Sequence, residues 1–171
     1  MARERKPPAG AGAEPEEITE AVFIDAPRDP ELQAFVAYWQ SLHRGDALPS
    51  RADFDPVKVP KLLPNIILYN VEKPGGPYTI RLVGEEVQQF VGQNATGRRA
   101  GAIMNTRAAA MMNRILDAVS IERTPRYRAG KTHWLDAKNF REFEACFLPL
   151  AADGKTVNMI LCAVKFPETA R

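Results

Sequence analysis

The chain has 171 residues, 45% of them apolar and 26% charged, with a net charge of +2. That composition excludes disorder of the whole chain, and so small a positive excess does not call for a nucleic acid partner. The length suits one domain of ordinary size with a short extension, and leaves no room for a second independent core.

The opening MARERKPPAGAGAEPEE is rich in Pro, Ala, Gly and Glu and carries no apolar run. Residues 1–24 are therefore expected to form a flexible tail, and 25–171 a single domain, because the tail buries too little surface to offset its ordering entropy. No secretion signal is expected there, and no stretch approaches the roughly 18 apolar residues of a membrane span. A cytoplasmic protein is the resulting expectation. Cys146 and Cys162, the only cysteines, fit two buried reduced thiols better than a disulfide framework.

The first structural signal is Asp29-Pro30, a side-chain acceptor followed by a residue preset for the first helical turn. Leu32, Phe35, Val36, Trp39 and Leu42 then recur at helical spacing, and Gly45 is the expected stop. This apolar face, with Tyr38 beside it, packs either on its own sheet or on a second copy. Leu32, Phe35, Val36 and Trp39 are thus the candidates for a homodimer contact. The proline-rich LPSRADFDPVKVPKLLPN permits only one or two short helical turns.

A β-branched run over 65–71, the turn Lys73-Pro74-Gly75-Gly76-Pro77 and the alternating 78–83 predict a hairpin. Strict alternation would place Tyr78, Ile80 and Leu82 on one face and Thr79, Arg81 and Val83 on the other. If Arg81 is buried, Asp53 or Asp55 is its expected partner. A short helix is predicted within 84–97, carrying Val87, Phe90 and Val91, and a longer one over 106–120. In the longer helix Met111, Met112, Ile115, Leu116 and Val119 form the apolar face.

Strands are predicted over 124–131, 142–150 and 156–166, the last two joined across Asp153-Gly154. With a two-residue turn there, Cys146 falls opposite Leu161 and the two sulfurs lie on different sheet faces. The order of elements, with strands adjacent in sequence at both ends, predicts an α+β fold. It comprises a five-stranded antiparallel sheet, helices on one face and an additional N-terminal helix.

Several motifs, taken in order, resemble the PAS domain family, in particular its divergent single-domain bacterial branch, in which a function is largely unassigned. They are Tyr38-Trp39, Leu48 to Pro56, Leu62-Leu63-Pro64, Tyr78 to Gly84, Gly92 with Thr96-Gly97, Leu148-Pro149-Leu150 and Asp153-Gly154. The resemblance covers roughly residues 30–166. It implies a small sensory fold that holds a ligand between sheet and helices, often dimerises through a flanking helix, and transmits signals more often than it catalyses. No kinase, cyclase or DNA-binding output domain accompanies it in these residues, so a signal is expected to leave through a partner protein or through dimerisation.

Val83, Phe90, Met111, Ile115, Phe147 and Met159 are the candidate ligand-pocket residues, unless they simply close-pack. Arg126, Arg128 and Lys131, within a basic stretch running from Arg98 to Lys131, are the anion-binding candidates. The period of two puts Arg126 and Arg128 on one face, where planar forks can grip phosphate or carboxylate. The plainer alternative is a solvated strand face paired with Glu142 or Glu144 across the sheet.

No nucleophile elbow, phosphate loop or zinc-binding spacing is present. No catalytic residue, metal site or cofactor is predicted, and neither haem on His133 or His43 nor a nucleotide is expected. The leading reading is a sensory module that binds a small ligand or protein partner. The alternatives are an acid–base enzyme of the isomerase or hydratase kind using Asp136, His133 or Glu144, and an anion- or nucleic-acid-binding protein using the basic stretch.

Overall fold

The computed structural model describes residues 21–132 and 141–167. Within them six strands form one antiparallel sheet: β1 (Val22–Ile24), β2 (Ile66–Val71), β3 (Tyr78–Val83), β4 (Arg126–Thr132), β5 (Arg141–Leu150) and β6 (Met159–Lys165). Their spatial order is β1-β4-β5-β6-β2-β3. The three helices are α1 (Pro30–Ser41), α2 (Glu85–Val91) and α3 (Thr106–Glu122), and short 3-10 turns occupy Pro56–Lys58 and Pro60–Asn65. The α+β antiparallel fold expected from the element order is present, with one strand more than expected. That strand, β1, is a three-residue apolar run too short to show a period, and only its pairing with β4 makes it a strand. The remainder of the expected tail, residues 1–20, lies outside the described residues.

Register decides which side chains share a face, because directly paired residues point the same way. Arg126, Arg128, Phe147, Cys162, Ile67 and Tyr69 fall on one face, and Glu142, Glu144, Cys146, Leu148, Leu161 and Leu68 on the other. Helix α3 covers the first face: Tyr69 Oη reaches Met112 Sδ and Tyr78 Oη reaches Asp117. The N-terminal helix α1 covers the second, where Glu31 pairs with Lys165 at 2.9 Å and Trp39 Nε1 donates to Pro149 O at 3.1 Å.

Helix α1 begins as its sequence dictates. Asp29 Oδ1 accepts from the backbone N–H groups of Glu31 and Leu32, and Pro30 needs no partner at the first turn. The helix ends at Ser41 and not at Gly45, because the His43 ring caps the Trp39 and Gln40 carbonyls at 3.1 Å. Gly45, with φ +60°, serves the next turn instead.

The β5–β6 connection is longer than two residues, so Cys146 faces Ala163 and not Leu161. The displacement is two residues and preserves parity, which keeps the two thiols on opposite faces as expected. A bulge between β2 and β3 does change parity. Leu68 faces Leu82 while Tyr69 faces Ile80, leaving Arg81 as the extra residue. Val83 consequently joins Tyr78 and Ile80 on the α3 face and Leu82 turns away from them, overturning the strict alternation. Arg81 is exposed. Neither expected partner holds it: Asp53 accepts from Ser50 and pairs with Arg44, and Asp55 caps the Pro56–Lys58 turn.

The motifs picked out in the sequence meet in pairs. Leu48 N donates to Gly154 O and Ala151 N to Pro49 O, tying the Leu48-Pro49 loop to the β5–β6 connection. Asp55 N donates to Tyr38 Oη, fastening the same loop to α1. The Leu62-Leu63-Pro64 turn presses on Gly84, whose N–H donates to Ile66 O at 2.6 Å. A Cβ at Gly84 would sit against the Pro64 carbonyl and 2.5 Å from Leu63 O. Backbone cannot retreat as a flexible side chain can. Gly84→Ala is therefore expected to lower stability by about 1–3 kcal/mol through overpacking, seen as a lower urea midpoint at unchanged slope. An unchanged midpoint would show that the β3–α2 junction relaxes around a methyl group.

Candidate functional site

The layer between the sheet and α3 is the candidate site. Ile115 and Phe147 are buried within it, and Val83 shares the Phe147 face. Met111 lies half-buried on α3, and Phe90 on α2 packs its ring against Phe166 with centroids 4.4 Å apart. Met159 is not part of this group. It pairs with Leu150 and Asn70, and the period of two places it on the α1 face. Val83 also borders an open groove of about 660 Å³ along α2, otherwise lined by polar residues and glycine: Glu85, Gln88, Gln89, Gly92 and Gln93.

The layer is not purely hydrocarbon. Tyr78 Oη donates to Asp117 Oδ1 at 2.5 Å and lies 3.0 Å from Ser120 Oγ, which accepts from Gly75 N at 3.1 Å. Sequence reasoning missed this triangle, because no local pattern signals a contact that spans 39 residues of chain. A cleft of about 510 Å³ lies beside it, bordered by Tyr78, Arg99, Asn113 and Asp117. Burial, then the hydrogen bond to Asp117, pushes the Tyr78 phenol up to about 12 from an ordinary 10.0. A raised pKa means that the folded state holds the proton more tightly than the unfolded chain, so this stabilisation is complete below pH 10 and is lost as pH climbs through about 12. Tyr78→Phe should flatten the fall of the melting temperature over that alkaline window. A fall identical to that of the parent protein would place the loss in other groups.

The basic candidates part company. Arg126 reaches back to Glu122 on α3 and donates to Thr124 Oγ1 at 2.8 Å. Lys131 pairs with Glu142, 3.9 Å away on β5. Arg128 is buried, only 6% exposed, with its guanidinium 5.7 Å from the Phe143 ring centroid. Cross-sheet pairing with Glu142 or Glu144 is thus realised for Lys131 alone, because Arg126 and Arg128 face Phe147 and Ala145 while both glutamates point to the α1 side. Other members of the Arg98 to Lys131 stretch also have local partners. Arg98 binds Gln93, Arg123 reaches the carbonyls of Asp46 and Gly154, and Arg126 is held by Glu122.

The proposed dimer helix is also reassigned. Leu32, Phe35, Val36 and Trp39 are between 0% and 7% exposed within the single chain, packed on its own sheet. Their face is not available to a second copy. Glu144, a candidate acid–base group, is buried, and its Oε1 accepts from the N–H groups of Arg28 and Asp29 at 2.6 and 2.9 Å. It anchors the approach to α1. His133 and Asp136, the other members of that constellation, lie outside the described residues. His43 caps α1 and stacks edge-on against Trp39.

Both thiols are free and buried. Burial pushes Cys146 up to about 12 and raises Cys162 well above its ordinary value. Since the thiolate is the reactive form, native protein at pH 8 should react with neither equivalent of a thiol reagent, and denatured protein with both. Rapid native labelling would mean that the sheet opens far more readily than its packing implies. Among the described residues no group of three or more His, Cys, Asp or Glu is placed to hold a metal ion, and no helix is long and apolar enough to cross a membrane.

A sheet ordered β3-β2-β6-β5-β4 with a long helix across one face defines an antiparallel α+β class. The family comparison agrees: residues 28–165 match the PAS domain family, and the chain belongs to it. Solved structures that resemble it include the PAS domain of Bordetella pertussis BvgS, at 18% identity over 63% of this chain and 79% of that one, with a TM-score of 0.49. A domain of an HTR-like protein from Haloarcula marismortui shows 14% identity over 61% of this chain and 98% of that one, with a TM-score of 0.44. An RNA-binding light-oxygen-voltage receptor shows 11% identity over 90% of this chain, which spans 40% of the receptor, with a TM-score of 0.48. No curated protein sequence matches the chain.

Proposed function

We propose that this PAS domain is a regulatory module that binds a small ligand between its sheet and α3, and passes the resulting change to a partner protein or by self-association, without covalent chemistry. The observation that carries this reading is the polar content of the α3 layer. A sheet–helix contact with only a structural role is most stable when filled with hydrocarbon, yet here Arg128 and the Tyr78–Asp117–Ser120 triangle occupy the face that α3 covers. The enzyme alternative loses support because the carboxylate of Glu144 is engaged by two backbone N–H groups. The reading takes residues 25–171 as the domain, joined at β1 to the preceding tail. It places the protein in the reducing cytoplasm, which the two unpaired buried thiols favour.

Because the apolar face of α1 is buried in the chain itself, self-association must use another surface. The exposed Val22 and Phe23 of β1 lie on the outer edge of the sheet. Native mass spectrometry of the full chain, purified from its host in volatile buffer of moderate ionic strength, tests the proposal. The expected spectrum contains a retained small molecule whose removal lowers the melting temperature. A spectrum holding only the mass of the polypeptide, together with no thermal shift from a broad metabolite panel, would count decisively against ligand sensing.

A further inference from the structure

Arg128 sits where a charge is hardest to keep. Its backbone is paired on both sides, with Phe23 of β1 and Ala145 of β5, and its side chain lies on the α3-covered face with 6% of the residue exposed. A guanidinium carries five N–H donors and cannot shed its charge under ordinary conditions. Among the described residues none of those donors meets a carboxylate or another acceptor; the contact made is with the face of Phe143. Register closes the obvious escape, since Glu142 and Glu144 point through the other side of the sheet, the first toward Lys131 and the second engaged by Arg28 N and Asp29 N. Arg126, its neighbour on the same face, is answered by Glu122 and does not share the problem. Desolvation draws Arg128 below the ordinary guanidinium value, and nearby Cys162 acts in the opposite direction.

An isolated buried cation is costly unless a counter-charge arrives. We propose that Arg128 anchors a buried ligand site between the sheet and α3, and that its ligand is a small monocarboxylic acid with an apolar body. This rests on the sensory reading above and specifies its ligand. The fork of the guanidinium matches the two oxygens of a carboxylate. One positive charge that no described residue compensates is neutralised by one negative charge, which favours a monocarboxylate over a phosphate monoester or a dicarboxylate. Phe143, Phe147 and Ile115 on the same side supply apolar surface for the remainder of the ligand.

The test uses the full chain, with hexanoate and benzoate as probes, their uncharged amides and inorganic phosphate as controls, and calorimetry with thermal shift as readouts. Saturable binding of a carboxylate and not of its amide is expected. Arg128→Met should weaken that binding by at least about tenfold without lowering the melting temperature, because removing an unpaired buried charge relieves a cost. Arg128→Lys, which keeps the charge and loses the fork, should retain weakened binding. If the methionine variant melts much lower and the parent binds no carboxylate, Arg128 is a structural stacking partner of Phe143 and the inference falls. In the parent protein, the side-chain Nε–Hε resonance of Arg128 must shift on adding hexanoate; an unmoved resonance also overturns it. A retained ligand that is neutral, or that binds Arg128→Met unchanged, defeats the carboxylate site and leaves the sensory reading standing. Absence of any ligand defeats both.

Discussion

Strand β5 is hydrogen-bonded to β4 on one edge and to β6 on the other, and α1 and α3 press on its two faces. Every residue from Phe143 to Leu150 is buried as a result. A strand held in this way has no freedom of register, since a slip of one residue would exchange the contents of two different interfaces. The division of labour in the molecule follows from that constraint. Even-numbered β5 residues such as Glu144, Cys146 and Leu148 serve the N-terminal helix, and odd-numbered ones such as Phe143, Ala145 and Phe147 serve the layer under α3.

The two faces solve the polar problem differently. On the α1 side buried and half-buried polar groups are answered: Glu144 is met by two backbone N–H groups, Lys165 by Glu31, and the Trp39 indole by a strand carbonyl. That face behaves as scaffold, and its helix is locked at its N-terminus by Asp29 and at its C-terminus by His43. The α3 side keeps polar groups of less obvious structural value. Its tyrosine, aspartate and serine satisfy one another, whereas among the described residues Arg128 meets an aromatic face and no acceptor. Proteins tolerate local inconsistency of this kind mainly where function requires it.

Much of the fold was legible because its signals are local. Asp29-Pro30 ahead of an apolar stripe at helical spacing marks the start of α1, the glycine-proline cluster over 73–77 separates two strands, and the methionine-bearing stripe of α3 repeats at helical spacing. The misreadings share a cause as well. Strand β1 is visible only through its partner, the bulge at Arg81 reverses the inward and outward sets of β3, and Met159 changes face because register is fixed by strands far away in the sequence.

Period-two alternation alone established that Arg126 and Arg128 share a face, and local composition established which segments become helix or strand. What lies opposite each arginine was decided by tertiary structure: Phe147 and Ala145 with α3 above them, and not Glu142 and Glu144, which point to the other side of the sheet. The reason is that alternation is a property of a single strand, whereas the partner and depth of a side chain depend on how several strands are aligned and which helix closes over them.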